Sequence, residues 1–235
     1  MKVVIVCGGR GLRMANETAF RPKPMIPIGG KPIIHHIMQR FAEYGYNQFV
    51  LCTGYKGELI HQYFTDSSNY PTSWDVNIVD TGEDASSAER VLRVKSLLDE
   101  KFFLCYSDGL SNFNVDSMVR FHDEKGLLCT VLGAHPVSPY GLMEARDGIV
   151  TRFSEKPVIE KIINGGFFVM NKAALDYFDN HSLIEEAPMT RLTEIRQLSV
   201  YEHHGYWSSM DTAKDIQRLN RLWETGNIPW LREVN

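Results

Sequence analysis

The sequence has no run of like charge, no low-complexity tract, no internal repeat and no CxxC pair. Each absence removes a class of function. Its 25 Lys and Arg and 29 Asp and Glu, a formal charge of -4, are mixed along the chain. Nothing in that distribution neutralises a row of phosphates, so no nucleic-acid partner is expected. No stretch approaches the roughly 20 apolar residues that span a bilayer, and Met1-Lys2 leads straight into a strand-like run. A cytoplasmic protein with no membrane partner is the expectation. Cys7, Cys52, Cys105 and Cys129 sit singly in or beside apolar runs and read as reduced core thiols. The pairs His35-His36 and His203-His204 make poor metal sites, because adjacent side chains on a strand or helix point apart. Trp207 and Trp230 read as packing or interface residues, not a base-stacking platform.

What is present is enough apolar material for one core and a regular alternation of elements. A chain of 235 residues, 43% hydrophobic, suits one α/β domain over residues 1–235. Strand-like runs at residues 2–7, 48–52, 76–79 and 102–106 alternate with helical patterns. The first helix opens at Pro32, carries Ile33, Ile34, Ile37, Met38 and Phe41 at helical spacing, and closes at Gly45. Others follow at 58–64, before Leu97-Leu98, and at 115–124. This βαβ series predicts a mostly parallel sheet flanked by helices, with ligands at the carboxyl ends of its strands. Further strands at 127–134, 142–145, 149–153 and 165–170 are expected to extend the sheet and cover its edge, before a helix over 212–224.

The chemistry begins where the first strand ends. Gly8, Gly9, Gly11 and Arg13 form a GGxGxR loop that lets an anion approach backbone amides closely. The spacing is neither GxGxxG nor GxxxxGK[ST], which makes a dinucleotide or Walker reading weak. Pro22-Lys23-Pro24 holds one lysine between two rigid residues and so aims a single positive charge. Asp108 follows a strand and precedes Gly109, where Asp also serves turns; Asp211 precedes a helix, where Asp is a favoured N-cap.

The GGxGxRM run, Glu17-Thr18, Pro22-Lys23-Pro24-Met25 and Ile28-Gly29-Gly30-Lys31-Pro32-Ile33 resemble the sugar-phosphate nucleotidyltransferase family. Gly54-Tyr55-Lys56-Gly57, Val79-Asp80-Thr81-Gly82, Arg90 and Arg93, Glu155-Lys156-Pro157 and Asn164-Gly165-Gly166 continue the likeness. With Glu202-His203, Met210-Asp211-Thr212, Leu222-Trp223-Glu224 and Pro229-Trp230, they are most similar to the glucose-1-phosphate cytidylyltransferases, over nearly the full chain. The resemblance implies a Rossmann-like nucleotidyltransferase fold with a central mixed sheet. About residues 1–125 would bind the nucleotide and about 126–235 the sugar phosphate.

The implied reaction joins CTP to glucose 1-phosphate with Mg²⁺ and releases pyrophosphate. It implies Gly8, Gly9, Gly11, Arg13, Lys23, Ser87 and Asp108 on the nucleotide, with Arg13, Lys23, Asp108 and Asp211 catalytic. Asp108 and Asp211 would hold the metal, and Glu155, Lys156, Asn164 and Gly165 the sugar phosphate. Such a transfer needs charge neutralisation and positioning more than a covalent nucleophile.

Three departures bear on substrate and assembly. Ser87-Ala88-Glu89 stands where the family has Thr-Gly-Gly in a loop near the nucleotide. Arg191 appears beside the expected acceptor wall, after Ala187-Pro188 in place of Glu-Pro. The segment between Phe64 and Trp74 is short, in a region that often serves subunit contact; a homo-oligomer is still expected. Another nucleoside triphosphate, another phosphorylated acceptor, or a non-catalytic nucleotide-sensing relative remain open alternatives.

Overall fold

The computed structural model describes residues 1–231, without the side chains of residues 13, 15 and 16. The first part of the chain runs β1 (Val3–Val6), α1 (Ala15–Thr18), the short ladder β2 (Pro27–Ile28) and β3 (Lys31–Pro32), α2 (Ile33–Ala42), β4 (Gln48–Thr53), α3 (Gly57–Thr65) and β5 (Asp75–Asp80). It continues with α4 (Ser87–Arg93), β6 (Lys101–Tyr106), β7 (Gly109–Ser111), α5 (Val115–Lys125) and β8 (Cys129–Ala134). A hairpin of β9 (Leu142–Arg146) and β10 (Ile149–Ser154) precedes β11 (Ile163–Asn171), α6 (Ala187–Glu194), β12 (Leu198–His203), β13 (Trp207–Ser209) and α7 (Ala213–Glu224).

Seven strands form one sheet in the order β12-β8-β11-β6-β1-β4-β5. Every neighbouring pair is parallel except those made by β11, which runs against both β6 and β8. The α/β expectation with a mostly parallel, mixed sheet is met. One consequence organises the site: β1, β4, β6, β8 and β12 deliver their ends to one sheet edge, and reversed β11 delivers its beginning there.

Both faces are covered, because successive strand residues point to opposite sides. Val3 and Ile5 of β1 pack with α2, whereas Val4 packs with Ala88 and Val91 of α4. On α2, Ile33, Ile34, Ile37, Met38 and Phe41 are all at most 2% exposed, which fulfils the helical spacing in the sequence. Phe41 sits 5.0 Å, ring to ring, from Phe103 on β6, and truncating such a residue costs about 3–5 kcal/mol. The α5 helix shows how local chemistry sets its limits. Asn114 accepts a bond from the Ser117 amide at 2.8 Å to start it, and Gly126, at φ +63°, stops it.

The four cysteines are free and buried. Burial pushes their thiols up, Cys52 to about 12, so they pack as protonated groups. No helix among the described residues is long and apolar enough to cross a membrane. The helix expected to end at Leu98 stops at Arg93 and gives way to a 3₁₀ turn, Lys95–Leu97. The sequence reading has neither α6 nor β12, yet β12 forms one edge of the main sheet.

Candidate active site

The β1 and β6 strands pair in register from Val3 against Phe103 to Val6 against Tyr106. The loops that follow, Gly8 onward and Ser107-Asp108, therefore leave the same edge side by side. The Lys23 ammonium bridges the residues beyond: its Nζ lies 2.6 Å from Asp108 Oδ2 and 2.9 Å from Asp211 Oδ1. Lys23 is only 8% exposed, held in a 3₁₀ turn between Pro22 and Ile26. The Met210 amide donates to the Asp108 carbonyl at 2.9 Å and ties the two acidic segments together.

Asp211 is not the cap of α7. That role belongs to Thr212, whose hydroxyl accepts from the Asp215 amide, while Asp215 in turn accepts from the Asp211 and Thr212 amides. The helix end is satisfied by its own pair of residues, so the Asp211 carboxylate turns to Lys23. Two carboxylate oxygens gathered about one cation form a hard-oxygen donor set that suits a small divalent ion together with substrate phosphates.

The glycine loop is shaped from behind. Arg90, on α4 and 2% exposed, donates five hydrogen bonds: to the carbonyls of Thr53, Gly82, Gly8 and Glu83 and to the Thr81 hydroxyl. These oxygens cap the ends of β1, β4 and β5, so one guanidinium fastens three strand ends. A Cβ on Gly8 would overlap that guanidinium, which makes glycine obligatory there. Gly9 is exposed, with open space around it. Gly11, at φ +62°, turns the chain into the 3₁₀ turn Leu12–Met14. The Arg13 side chain lies outside the described residues.

A cleft of about 400 Å³ opens beside the acidic pair, lined by Tyr106, Asn164, Gly165, Glu185 and Trp207 with Asp108 and Asp211. The reversal of β11 brings Asn164 and Gly165 there. Asn164 Oδ1 accepts from the Gly166 amide at 2.8 Å, and Trp207 Nε1 donates to the Gly165 carbonyl at 2.8 Å. The Tyr106 hydroxyl donates to Glu185 at 2.8 Å, and burial followed by that carboxylate pushes the phenol far up, so it keeps its proton. A larger hollow of about 520 Å³ between Phe20 and α3 touches neither Lys23 nor the acidic pair.

Sequence reasoning missed Tyr106 and Glu185 in the cleft lining and read Trp207 only as a packing or interface residue. Tyr106 carried a signal, as the last residue of a buried strand before Ser-Asp-Gly. Glu185 carried none.

Other expected residues lie elsewhere. Glu155 and Lys156 follow the β9–β10 hairpin, 63% and 61% exposed at their side chains and 3.9 Å apart, outside the lining of the cleft. Lys156 holds φ +48°, a left-handed turn that lifts it from the strand direction. The Ser87 hydroxyl accepts from the Ile184 amide at 2.9 Å.

Two of the departures lie outside the lining of the cleft. Glu89 is not in a loop: Ser86 caps α4 by accepting from the Glu89 amide, and the Glu89 carboxylate pairs with Arg93 one turn on, at 2.7 Å. Arg191 is not among the residues that line the cleft. It donates to Asp179 and to the Tyr177 carbonyl, each at 2.9 Å, on the outer side of α6.

Other proteins resemble this chain over nearly its full length. The chain is 39% identical to a Bacillus subtilis protein described as a probable glucose-1-phosphate cytidylyltransferase, over 98% of this chain and 99% of that one. It is 36% identical to the glucose-1-phosphate cytidylyltransferase of Salmonella typhimurium, over 98% of each. In three dimensions it matches HddC from Yersinia pseudotuberculosis with a TM-score of 0.73 at 19% identity, over 94% of this chain and 99% of that one, a likeness of fold. The model of the family described as nucleotidyl transferase matches residues 2–227, and the chain belongs to that family.

Proposed function

We propose that the protein transfers the cytidylyl group of CTP to glucose 1-phosphate, yielding CDP-glucose and pyrophosphate. The observation that carries this reading is Lys23 held between Asp108 and Asp211 at the mouth of the Asn164–Gly165 cleft, in a chain so similar to cytidylyltransferases along its whole length.

The family typically works with a divalent metal. Mg²⁺ is the proposed ion, and Asp108 and Asp211 would hold it; bound there, it supplies neutralisation of the triphosphate's charge. The chain's own residues do the rest. Amides of Gly8, Gly9 and Gly11 receive the phosphates, and Arg13 sits on the departing pyrophosphate. Ser87 contacts the nucleotide from the first turn of α4. Lys23 gives up a carboxylate to reach the α-phosphate, where it offsets the charge that builds as an oxygen of the sugar phosphate forms its bond to phosphorus. The bond from that phosphorus to the bridging oxygen breaks, and pyrophosphate carries away the electron pair. Asn164, Gly165 and Glu155 hold sugar hydroxyls, and Lys156 takes the sugar's phosphate. Residues 1–125 thus serve the nucleotide and 126–235 the acceptor.

CTP supply makes the cytoplasm the proposed location. A homo-oligomer is proposed too, with the exposed apolar side chains Met143, Ile149, Val150 and Phe153 of the hairpin as contact surface; a monomer mass by light scattering would remove that part.

The deciding experiment measures pyrophosphate release from four nucleoside triphosphates, each paired with a panel of sugar phosphates. CTP with glucose 1-phosphate should give the highest kcat/KM. Faster release with another pair would replace these substrates, and none with any pair would end the catalytic reading.

A further inference from the structure

The same sheet edge ends, on its far flank, in a second group of convergent side chains. The β8 and β12 strands are parallel, with Gly133 opposite Glu202 and Ala134 opposite His203. His135 and His204, each the first residue beyond its strand, come to lie side by side, their rings stacked at 5.0 Å with 14° between planes. Alternation along β12 separates the two adjacent histidines. His203 is buried, its Nε2 bonded to Asn112 Oδ1 and the Tyr206 carbonyl, whereas Glu202 and His204 face the other way.

Glu202 Oε1 stands 2.9 Å from His135 Nε2 and 3.6 Å from His204 Nε2. One ligand atom from each of the three residues falls within 4.8 Å of the others. His135 Nδ1 lies 3.2 Å from the Ile159 carbonyl, an oxygen that only accepts, so Nδ1 carries hydrogen and Nε2 is left aimed at the carboxylate. A backbone carbonyl on the outer nitrogen is how proteins orient an imidazole whose inner nitrogen binds a metal. Between Nε2 and a carboxylate oxygen at 2.9 Å some positive species is required, a proton or a cation.

From this geometry we infer that His135, Glu202 and His204 form a site for a divalent transition metal of zinc's class, with one coordination position open to solvent. Tetrahedral bonds of about 2.0–2.1 Å put ligand atoms about 3.4 Å apart, and the two nitrogen-to-oxygen distances here bracket that value. Closing the remaining gap requires only rotation of His204, whose side chain is 75% exposed. Two imidazoles and one carboxylate favour zinc over magnesium, so the site is chemically distinct from the all-oxygen pair at Lys23. The four cysteines, all buried, offer no rival thiolate.

The test uses chelator-stripped, full-length protein in excess Mg²⁺, which occupies oxygen-only sites. Calorimetric titration should give one equivalent of Zn²⁺, Co²⁺ should develop the visible absorption of a four-coordinate imidazole site, and Zn²⁺ should raise the melting temperature. His204→Ala and Glu202→Gln should each weaken Zn²⁺ binding at least about 10-fold and abolish the Co²⁺ spectrum. Both variants should melt with the parent in chelator and release pyrophosphate at its rate with Mg²⁺, which separates a lost ligand from a lost fold. Absence of saturable Zn²⁺ binding to the parent, or parental affinity in both variants, would overturn the assignment. Because the readout is metal binding, it stands or falls apart from the proposed substrates.

Discussion

The two sides of the candidate site are built on opposite plans. Behind the glycine loop two cations are already held: Lys23 is buried between two carboxylates, and Arg90 is locked by five oxygens. On the side proposed for the acceptor, Lys156 stands in solvent beyond a hairpin whose strands are exposed along almost their whole length. The first side has its charges in position beforehand, so a charged ligand would need only to exchange partners with Lys23. The second is solvated and loosely packed, so its side chains contribute little to the stability of the fold.

The largest effect expected from this contrast is catalytic. Asp108→Asn and Asp211→Asn should each lower kcat/KM by about 10²- to 10³-fold, and removal of Mg²⁺ should stop turnover. Their melting temperatures should stay close to the parent's, because Lys23 keeps one carboxylate in each; full activity in either variant, from the same pyrophosphate assay, would break the comparison at its centre. Arg90→Ala should cost about 3 kcal/mol in urea unfolding, since buried carbonyls at three strand ends lose their donor. A loss below about 1 kcal/mol would mean that water replaces the guanidinium.

Acid should act on the packed side as well. Burial lowers His35 to about 4 from the ordinary 6.5, and it is also the main cause of the lowered values of His36, His122 and His203. The unfolded chain takes up protons near pH 6.5 that the folded chain refuses, so this stability is fully present above that pH and drains away as pH falls toward 4. Melting temperature should drop across that window, and His35→Gln should flatten the slope; an unchanged slope would show that His35 is not among its causes.

A smaller change is expected from the exposed side. Lys156→Ala should raise KM for the sugar phosphate about 10- to 100-fold, the worth of one hydrogen bond to a charged group, and shift stability by less than about 0.5 kcal/mol. A fall in kcat with KM unchanged would move Lys156 to the reacting phosphate instead. Arg191→Ala should do least. Its exposed pair with Asp179 predicts a change within about 0.5 kcal/mol and intact kcat/KM ratios across substrates.

The sequence was most readable where one physical cause dominates. Continuous β-branched or aromatic runs marked β1, β4 and β6 to within about a residue or two, and the 3.6-residue period marked α2, α5 and α7. Two prolines pick out Lys23 locally, whereas Asp108 and Asp211 are nominated by the family resemblance, since a strand end before glycine and a helix start suit a turn and a cap equally well. What escaped depended on distant partners. The β12 strand, Leu198–His203, mixes apolar and polar residues because it lies at the edge of the sheet. Glu89 looked like a loop residue because only the Ser86 cap reveals the helix start. Arg90 enters the sequence reading only as part of the family likeness, and nothing local announces that its donors reach Gly8, 82 positions earlier in the chain.

Those separations also set an order of assembly during synthesis. Lys23 meets one carboxylate 85 residues later and the other 188 residues later. The Gly8 loop emerges from the ribosome without the arginine that shapes it and without β6, which completes the strand pairing beside it. A nascent chain that has reached α5 already contains the arginine that shapes the glycine loop and the first carboxylate partner of Lys23, while the second carboxylate is still unmade. Any ligand that needs both acids can bind only once translation has passed Asp211.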